Sequence, residues 1–158
     1  MKPLVLTFSF IFSIITCLAS CQRATLKDNE TLPEQNMTNT NSKIWIKVGE
    51  KKFTATLLDS PTSKAFKALL PLTLHMDELN NNEKYAQLPQ SIPTNASVPT
   101  SIQSGDLMLY GSTTLVLFYK SFSTSYSYSK IGKIDDLAGL EGALGSGDVK
   151  VSFEIAKD

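Results

Sequence analysis

A mainly β fold closed into a barrel, with two short helices, is what this sequence predicts, and three observations carry that prediction. From Lys43 onward, apolar and polar residues alternate along four separate stretches, the period of a strand with one buried face. Asp106 to Lys120 is apolar on both faces, as in strands covered from two sides. Only two stretches carry helix signals, both short. That gives seven or eight short strands in 116 residues, a ratio that favours a closed barrel over a parallel sheet covered by helices.

The chain begins with a segment of another kind. Met1 to Ser20 carries one early charge, Lys2, and then an apolar run from Leu4 to Ala19 that includes Phe8, Phe10, Ile11, Phe12, Ile14 and Ile15. This is the pattern of a secretory signal. The 16-residue run falls short of the roughly 17 residues a membrane-crossing helix needs, and Thr7, Ser9, Ser13 and Thr16 dilute it. Leu18-Ala19-Ser20-Cys21 resembles the end of a bacterial lipoprotein signal, which implies a lipidated Cys21 at the mature N-terminus. The alternative is an ordinary cleaved signal with an incidental Cys. Cys17 would be removed with the signal, so Cys21 would be the one Cys left and no intramolecular disulfide is expected. Several acyl chains at one point would hold the protein on a bilayer better than the single chain that binds only marginally. The expected location is the bacterial cell envelope, outside the cytoplasm. Gln22 resembles an outer-membrane sorting residue.

Residues 21 to 42 read as the lipidated Cys followed by a flexible polar linker, with Leu26, Leu32 and Met37 its large apolar residues and no periodicity. A coil of about 21 residues spans roughly 25 Å, the stand-off it would give the domain. Asn-x-Ser/Thr triplets at Asn29, Asn36 and Asn95 are read as chance matches.

The domain occupies residues 43 to 158. Ile44, Ile46 and Val48 alternate with Lys43, Trp45 and Lys47; Gly49-Glu50 turns; Phe53, Ala55 and Leu57 alternate with Lys52, Thr54 and Thr56, completing a hairpin. Asp59 or Ser60 then caps a helix from Pro61 to Leu70, with Pro at its first position and Ala65, Phe66, Leu69 and Leu70 as its apolar stripe. Leu72, Leu74 and Met76 mark a third strand. Asn80 to Tyr85 reads as a polar turn leading into an irregular stretch with Pro89, Pro93 and Pro99, which is expected to cross the barrel mouth. Two apolar strands flank Gly111-Ser112, and Tyr128 to Ile134 forms another. Asp135-Asp136 is expected to start a short helix through Leu144. Val149, Val151, Phe153 and Ile155 alternate in the last strand.

Four blocks in order resemble a small bacterial family of cyclophilin-like domains: Leu70 to Leu74, Asn82 to Tyr85, Gly105 to Gly111, and Ser121 to Tyr128. The resemblance spans essentially Lys43 to Glu154 and implies a closed eight-stranded barrel with helices at its ends. It implies no established activity. Cyclophilin-type prolyl isomerases use an Arg guanidinium beside the proline, and the domain holds twelve Lys but no Arg. Lys lacks the planar multi-donor fork, and losing one preorganised donor typically costs about 100- to 1,000-fold in rate.

Charge excludes one class of function. Fifteen basic residues balance fifteen acidic ones, so no field suited to nucleic-acid phosphates exists. Tyr119, Lys120, Phe122, Ser123, Tyr126 and Tyr128 belong to a cluster in which rings can give apolar contact and hydroxyls orientation. The alternative is a strand and loop whose aromatics simply face the core. Asn80, Asn82, Glu83 and Tyr85 stand in the most polar turn, either as loop functional groups or as a self-bonded turn. His75, near Asp77 and Glu78, could do acid-base work or merely face solvent on its strand. One His with no second Cys is poor material for a transition metal, so no metal or cofactor is expected. The functional reading is a membrane-tethered domain that binds a peptide or small molecule without catalysis. A divergent prolyl isomerase and a structural component of an envelope complex are the alternatives.

Overall fold

The computed structural model describes residues 42–157; the signal segment, Cys21 and the linker up to Asn41 lie outside the described residues, as do the readings that fall on them. Ten elements follow in order: β1 Lys43–Val48, β2 Lys51–Leu57, α1 Pro61–Ala68, β3 Leu72–Leu79, β4 Glu83–Gln87, β5 Asp106–Tyr110, β6 Thr114–Phe118, β7 Ser129–Ile134, α2 Leu140–Leu144 and β8 Val149–Ile155. The strands close into one antiparallel barrel in the order β1-β2-β7-β5-β6-β4-β3-β8. This is the expected fold class, with eight strands and two short helices.

Alternation along each strand fills the barrel. Ile44, Ile46, Phe53, Ala55, Leu107, Leu109, Leu115, Leu117, Val151 and Phe153 all point into one interior cluster. Because successive strands run antiparallel, α1, between β2 and β3, closes one end, and α2, between β7 and β8, closes the other. Ser60 is the N-cap of α1 and accepts a hydrogen bond from Ser63 N at 3.1 Å. Phe66 on the same helix is fully buried, edge-on to Phe153 at 5.7 Å. β2 and β7 approach so closely that a Cβ at Gly132 would lie 2.5 Å from the Thr56 carbonyl oxygen. No side chain larger than hydrogen fits there.

Three expected boundaries are corrected. α1 ends at Ala68 rather than Leu70, because the residue before Pro71 is disfavoured in helical geometry. α2 begins at Leu140 rather than Asp135: Asp136 accepts from Ala138 N in a local turn, and Gly139 at φ 77° is in the left-handed region, so no helix runs through it. Asn80 to Tyr85 is not all turn. Positive φ at Asn80 and Asn81 confines the reversal to those residues, with Asn82 N donating to the Leu79 carbonyl, and Glu83 starts a strand.

Chain direction produces a second layer. β4 ends at the α1 end of the barrel whereas β5 starts at the α2 end, so residues 88–105 travel the length of the barrel outside it. Residues 119–128 make the reverse journey from β6 to β7. Leu88 and Ile92 plug the barrel mouth as the first crossover leaves it. The two crossovers run antiparallel and meet through the bridges Ser97–Tyr128 and Ile102–Phe122. Between them and the outer face of β5 and β6 lies a smaller apolar cluster of Ile102, Met108, Val116, Phe118 and Tyr128. The two-sided apolarity of β5 and β6 follows from this arrangement.

Candidate ligand-binding site

Beside that second layer, on the outer face of the barrel, lies a pocket of about 590 Å³, within the usual range for small-molecule sites of roughly 300 to 1,000 Å³. Its floor is the outward row of β4 and β6. Register sets Tyr85 opposite Val116, Gln87 opposite Thr114, and Glu83 opposite Phe118. Its walls are Phe122 to Tyr126 and Tyr128 from the second crossover together with Tyr110 at the end of β5, and Leu79 and Asn80 form the rim. Tyr126 N donates to Thr124 Oγ1 at 3.1 Å, folding the loop so that its ring faces Tyr110.

The rings meet in an ordered way. Tyr110 stands perpendicular to Tyr126 with centroids 6.1 Å apart and tilted against Tyr128 at 5.7 Å. Behind them Phe118 packs edge-on to Tyr128 and tilted to Phe122, which anchors the wall to the barrel. Tyr110 is 47% and Tyr126 62% exposed. Large rings left open to water on one concave surface mark a contact surface rather than an unfinished core.

Glu83 is the one charged residue among those lining the pocket. It is 7% exposed, and no described side chain gives it a hydrogen bond or a counter-ion. Burial, helped by the negative charge of Glu78, pushes its carboxyl up to about 7. Its oxygens keep a path to solvent: among described side chains, Asn82 Oδ1 is the atom both fully buried and unpartnered. Burial and the Glu83 charge also raise the Tyr128 phenol, to about 12.

Of the residues singled out from sequence, Asn80, Glu83, Tyr85, Phe122, Ser123, Tyr126 and Tyr128 line this pocket together. Four do not. Tyr119 turns into the other side of the sheet, buried, and donates to Glu78 Oε1 at 2.8 Å. Lys120 sits outside in an ion pair with Glu141 at 3.2 Å. The Asn82 carbonyl accepts from Tyr119 N and Lys120 N and so serves the backbone. His75 faces solvent on β3, in register with Lys150 of β8. It shares the outward face of β3 with Leu79 but lies four residues away along the strand, outside the pocket lining.

Sequence reasoning missed Tyr110, Gln87, Thr114, Val116 and Leu79. Strand alternation was a usable signal for Tyr110, since it shares a face with Met108. It also missed a buried polar cluster inside the barrel: Lys84, fully buried, donates to Glu78, to Gly145 O at 3.1 Å and to Gly147 O at 2.6 Å.

Comparison with known proteins bears on the fold. The sequence pattern of the cyclophilin-like family matches residues 46–154. The solution structure of a hypothetical protein from Archaeoglobus fulgidus is similar, at 19% identity and a TM-score of 0.56, over 73% of this chain and 95% of that one. No curated protein matches.

Proposed function

This chain belongs to the cyclophilin-like family, and from that premise we propose that it is a lipid-tethered binding domain that takes a peptide or small organic ligand into the outer-face pocket without catalysing a reaction on it. The observation that carries the reading is the pocket itself: aromatic walls held by a rigid barrel, with a single unpartnered carboxylate at the floor. Such a surface binds. Acid-base catalysis asks for a second polar group in a defined relation to the first, and prolyl isomerisation of the cyclophilin type asks for an Arg that the domain lacks.

Titrating the full chain with a panel of proline-containing peptides, with amide shifts and cis-trans exchange of the peptide recorded together, tests this. Shifts are expected at Tyr110, Phe122, Tyr126 and Tyr128 without accelerated exchange. Tyr126→Ala is expected to weaken whichever peptide binds by about tenfold, as loss of an aromatic anchor does. Catalysed exchange would overturn the non-catalytic part of the reading.

The tether rests on Leu18-Ala19-Ser20-Cys21. Lipid at Cys21 would place the pocket at the envelope, where the membrane is the first partner. Cys21→Ala is expected to move the protein from the membrane to the soluble fraction and to abolish labelling by a clickable palmitate analogue. Unchanged membrane association would refute the anchor.

A further inference from the structure

We propose that the ligand taken by this pocket carries an alkylated organic ammonium, with Glu83 as its counter-ion beside Tyr85 and Tyr128 at one end of the pocket, and with the Tyr110–Tyr126 corner at the other end taking the rest of the molecule. The inference rests on the binding reading above and narrows it to one ligand chemistry.

A carboxylate with 7% exposure and no partner is an incomplete arrangement. Burying a charge is costly unless an opposite charge or hydrogen bonds accompany it. The missing partner must come from outside, through the pocket that Glu83 lines. Lys84, the next residue, does not supply it: its side chain points into the barrel, to Glu78 and the Gly145 and Gly147 carbonyls. No Lys lines the pocket at all.

The walls select among possible partners. Aromatic faces carry negative potential and attract cations within about 6 Å of a ring centroid. Beside Glu83 stand Tyr85, two residues along the same face of β4, and Tyr128, whose ring packs on Phe118 opposite Glu83, whereas Tyr110 and Tyr126, perpendicular at 6.1 Å, make a corner level with Gln87 and Thr114 at the other end of the floor. An anion would meet both Glu83 and the ring faces, and is excluded. A bare metal cation finds one carboxylate where a calcium ion takes about six to eight oxygens. A neutral apolar ligand would seal the Glu83 charge away from water. A bulky, weakly hydrated ammonium satisfies the carboxylate and the rings together. Asn80 at the rim, Gln87 on the floor and Ser123 in the wall offer hydrogen bonds to the rest of such a molecule.

The ammonium could be a free small molecule or the side chain of a trimethylated lysine in a peptide; the chemistry is shared and the test separates them. The full chain at pH 8.5 is titrated, by amide shifts, with choline, with its uncharged isostere 3,3-dimethylbutan-1-ol, and with a capped Gly-trimethyllysine-Gly peptide beside its uncharged carbon isostere. Choline or the trimethyllysine peptide is expected to bind at least about tenfold more tightly than its neutral partner, with shifts centred on Glu83, Tyr85 and Tyr128. Whichever of the two cations shows the larger preference identifies the source. Glu83→Gln, which keeps the size of the side chain, is expected to collapse that preference towards unity, weakening the cation and strengthening the neutral isostere. Neutral and charged probes binding the pocket equally would overturn the ammonium inference and leave the binding reading standing. Silence from all four probes overturns the inference as well, and silence from the proline peptides in addition would bring down the binding reading with it.

Discussion

Glu83→Gln is expected to be more stable than the parent protein at pH 8 by about 3 kcal/mol, and to differ little from it at pH 4.5. The carboxyl sits at about 7 in the folded chain, against about 4.3 when unfolded. Between those values the folded state keeps a proton that the unfolded state releases. Stability therefore falls as pH rises through this window, by up to about 1.4 kcal/mol per pH unit from this group alone. The physical cause is burial of the carboxylate, with Glu78 adding like-charge repulsion. Gln fills the same space without a charge, so the variant lacks that decline. Urea unfolding of both proteins at pH 4.5, 6, 7 and 8 reads the difference. Parallel stability curves would show that the parent accommodates the charge, and the account of an unpartnered carboxylate would fail. A bound ammonium ligand is expected to restore the parent's stability above pH 7, which links this result to ligand binding.

Glu78→Gln is expected to destabilise the protein by about 3 to 5 kcal/mol, because it leaves a buried ammonium without its counter-ion. Lys84 is 0% exposed, and without Glu78 its charge meets only the carbonyls of Gly145 and Gly147. Lys84→Met is expected to cost less, since Glu78 retains the Tyr119 hydroxyl and some access to water. Combining Lys84→Met with Glu78→Gln is expected to recover part of the loss, as replacement of a whole buried pair by neutral groups commonly does. Urea midpoints at pH 7 decide the matter, and a Glu78→Gln cost below about 1 kcal/mol would mean the pair behaves like a surface contact. The pH response of this pair has the opposite sign to that of Glu83. Burial raises the Glu78 carboxyl, but hydrogen bonds from Lys84 and Tyr119, the Lys84 charge and the Asn81 backbone outweigh it and hold it below its ordinary value. Its contribution is therefore complete above the unfolded carboxylate range and is lost as pH falls through the lower folded value. Acid removes the Glu78 contribution and alkali exposes the Glu83 cost, which places maximum stability in the mildly acidic range.

The two glutamates also mark where reading the chain stopped working. Asn80-Asn81-Asn82-Glu83-Lys84 looks like a solvated turn because every side chain in it is polar. In the barrel, the reversal uses only the asparagines that tolerate positive φ, and β4 then sends Lys84 inward and Glu83 outward beneath the crossover. Inward placement of a Lys contradicts the period-2 signal, and only the carboxylate of Glu78 and the loop after α2 make it tolerable. Asp135-Asp136 misled in the same way, since a helix start and a free-standing Asx turn use the same residues.

The sequence by itself determined the local features. Alternation set β1, β2, β3 and β8; Ser60 and Pro61 set the start of α1; and apolarity on both faces announced that β5 and β6 would be covered twice. Those signals act between residues a few positions apart, where backbone geometry and burial leave a pattern in the chain. The aromatic loop was legible for the same reason, as a run of rings and hydroxyls from Tyr119 to Tyr128. Which of its members face a pocket was decided by the tertiary structure alone. Barrel closure forces two segments to recross the outside, and that crossing brings Phe122 to Tyr128 against Tyr110 and over Glu83, Tyr85 and Gln87 of a strand some forty residues earlier. Tyr119 and Lys120 fall outside the pocket because they open the crossover at the end of β6, where Tyr119 turns inward to Glu78 and Lys120 pairs with Glu141. Contacts between residues so far apart in the chain arise from strand order and register, and these are properties of the closed sheet that no local stretch of sequence encodes.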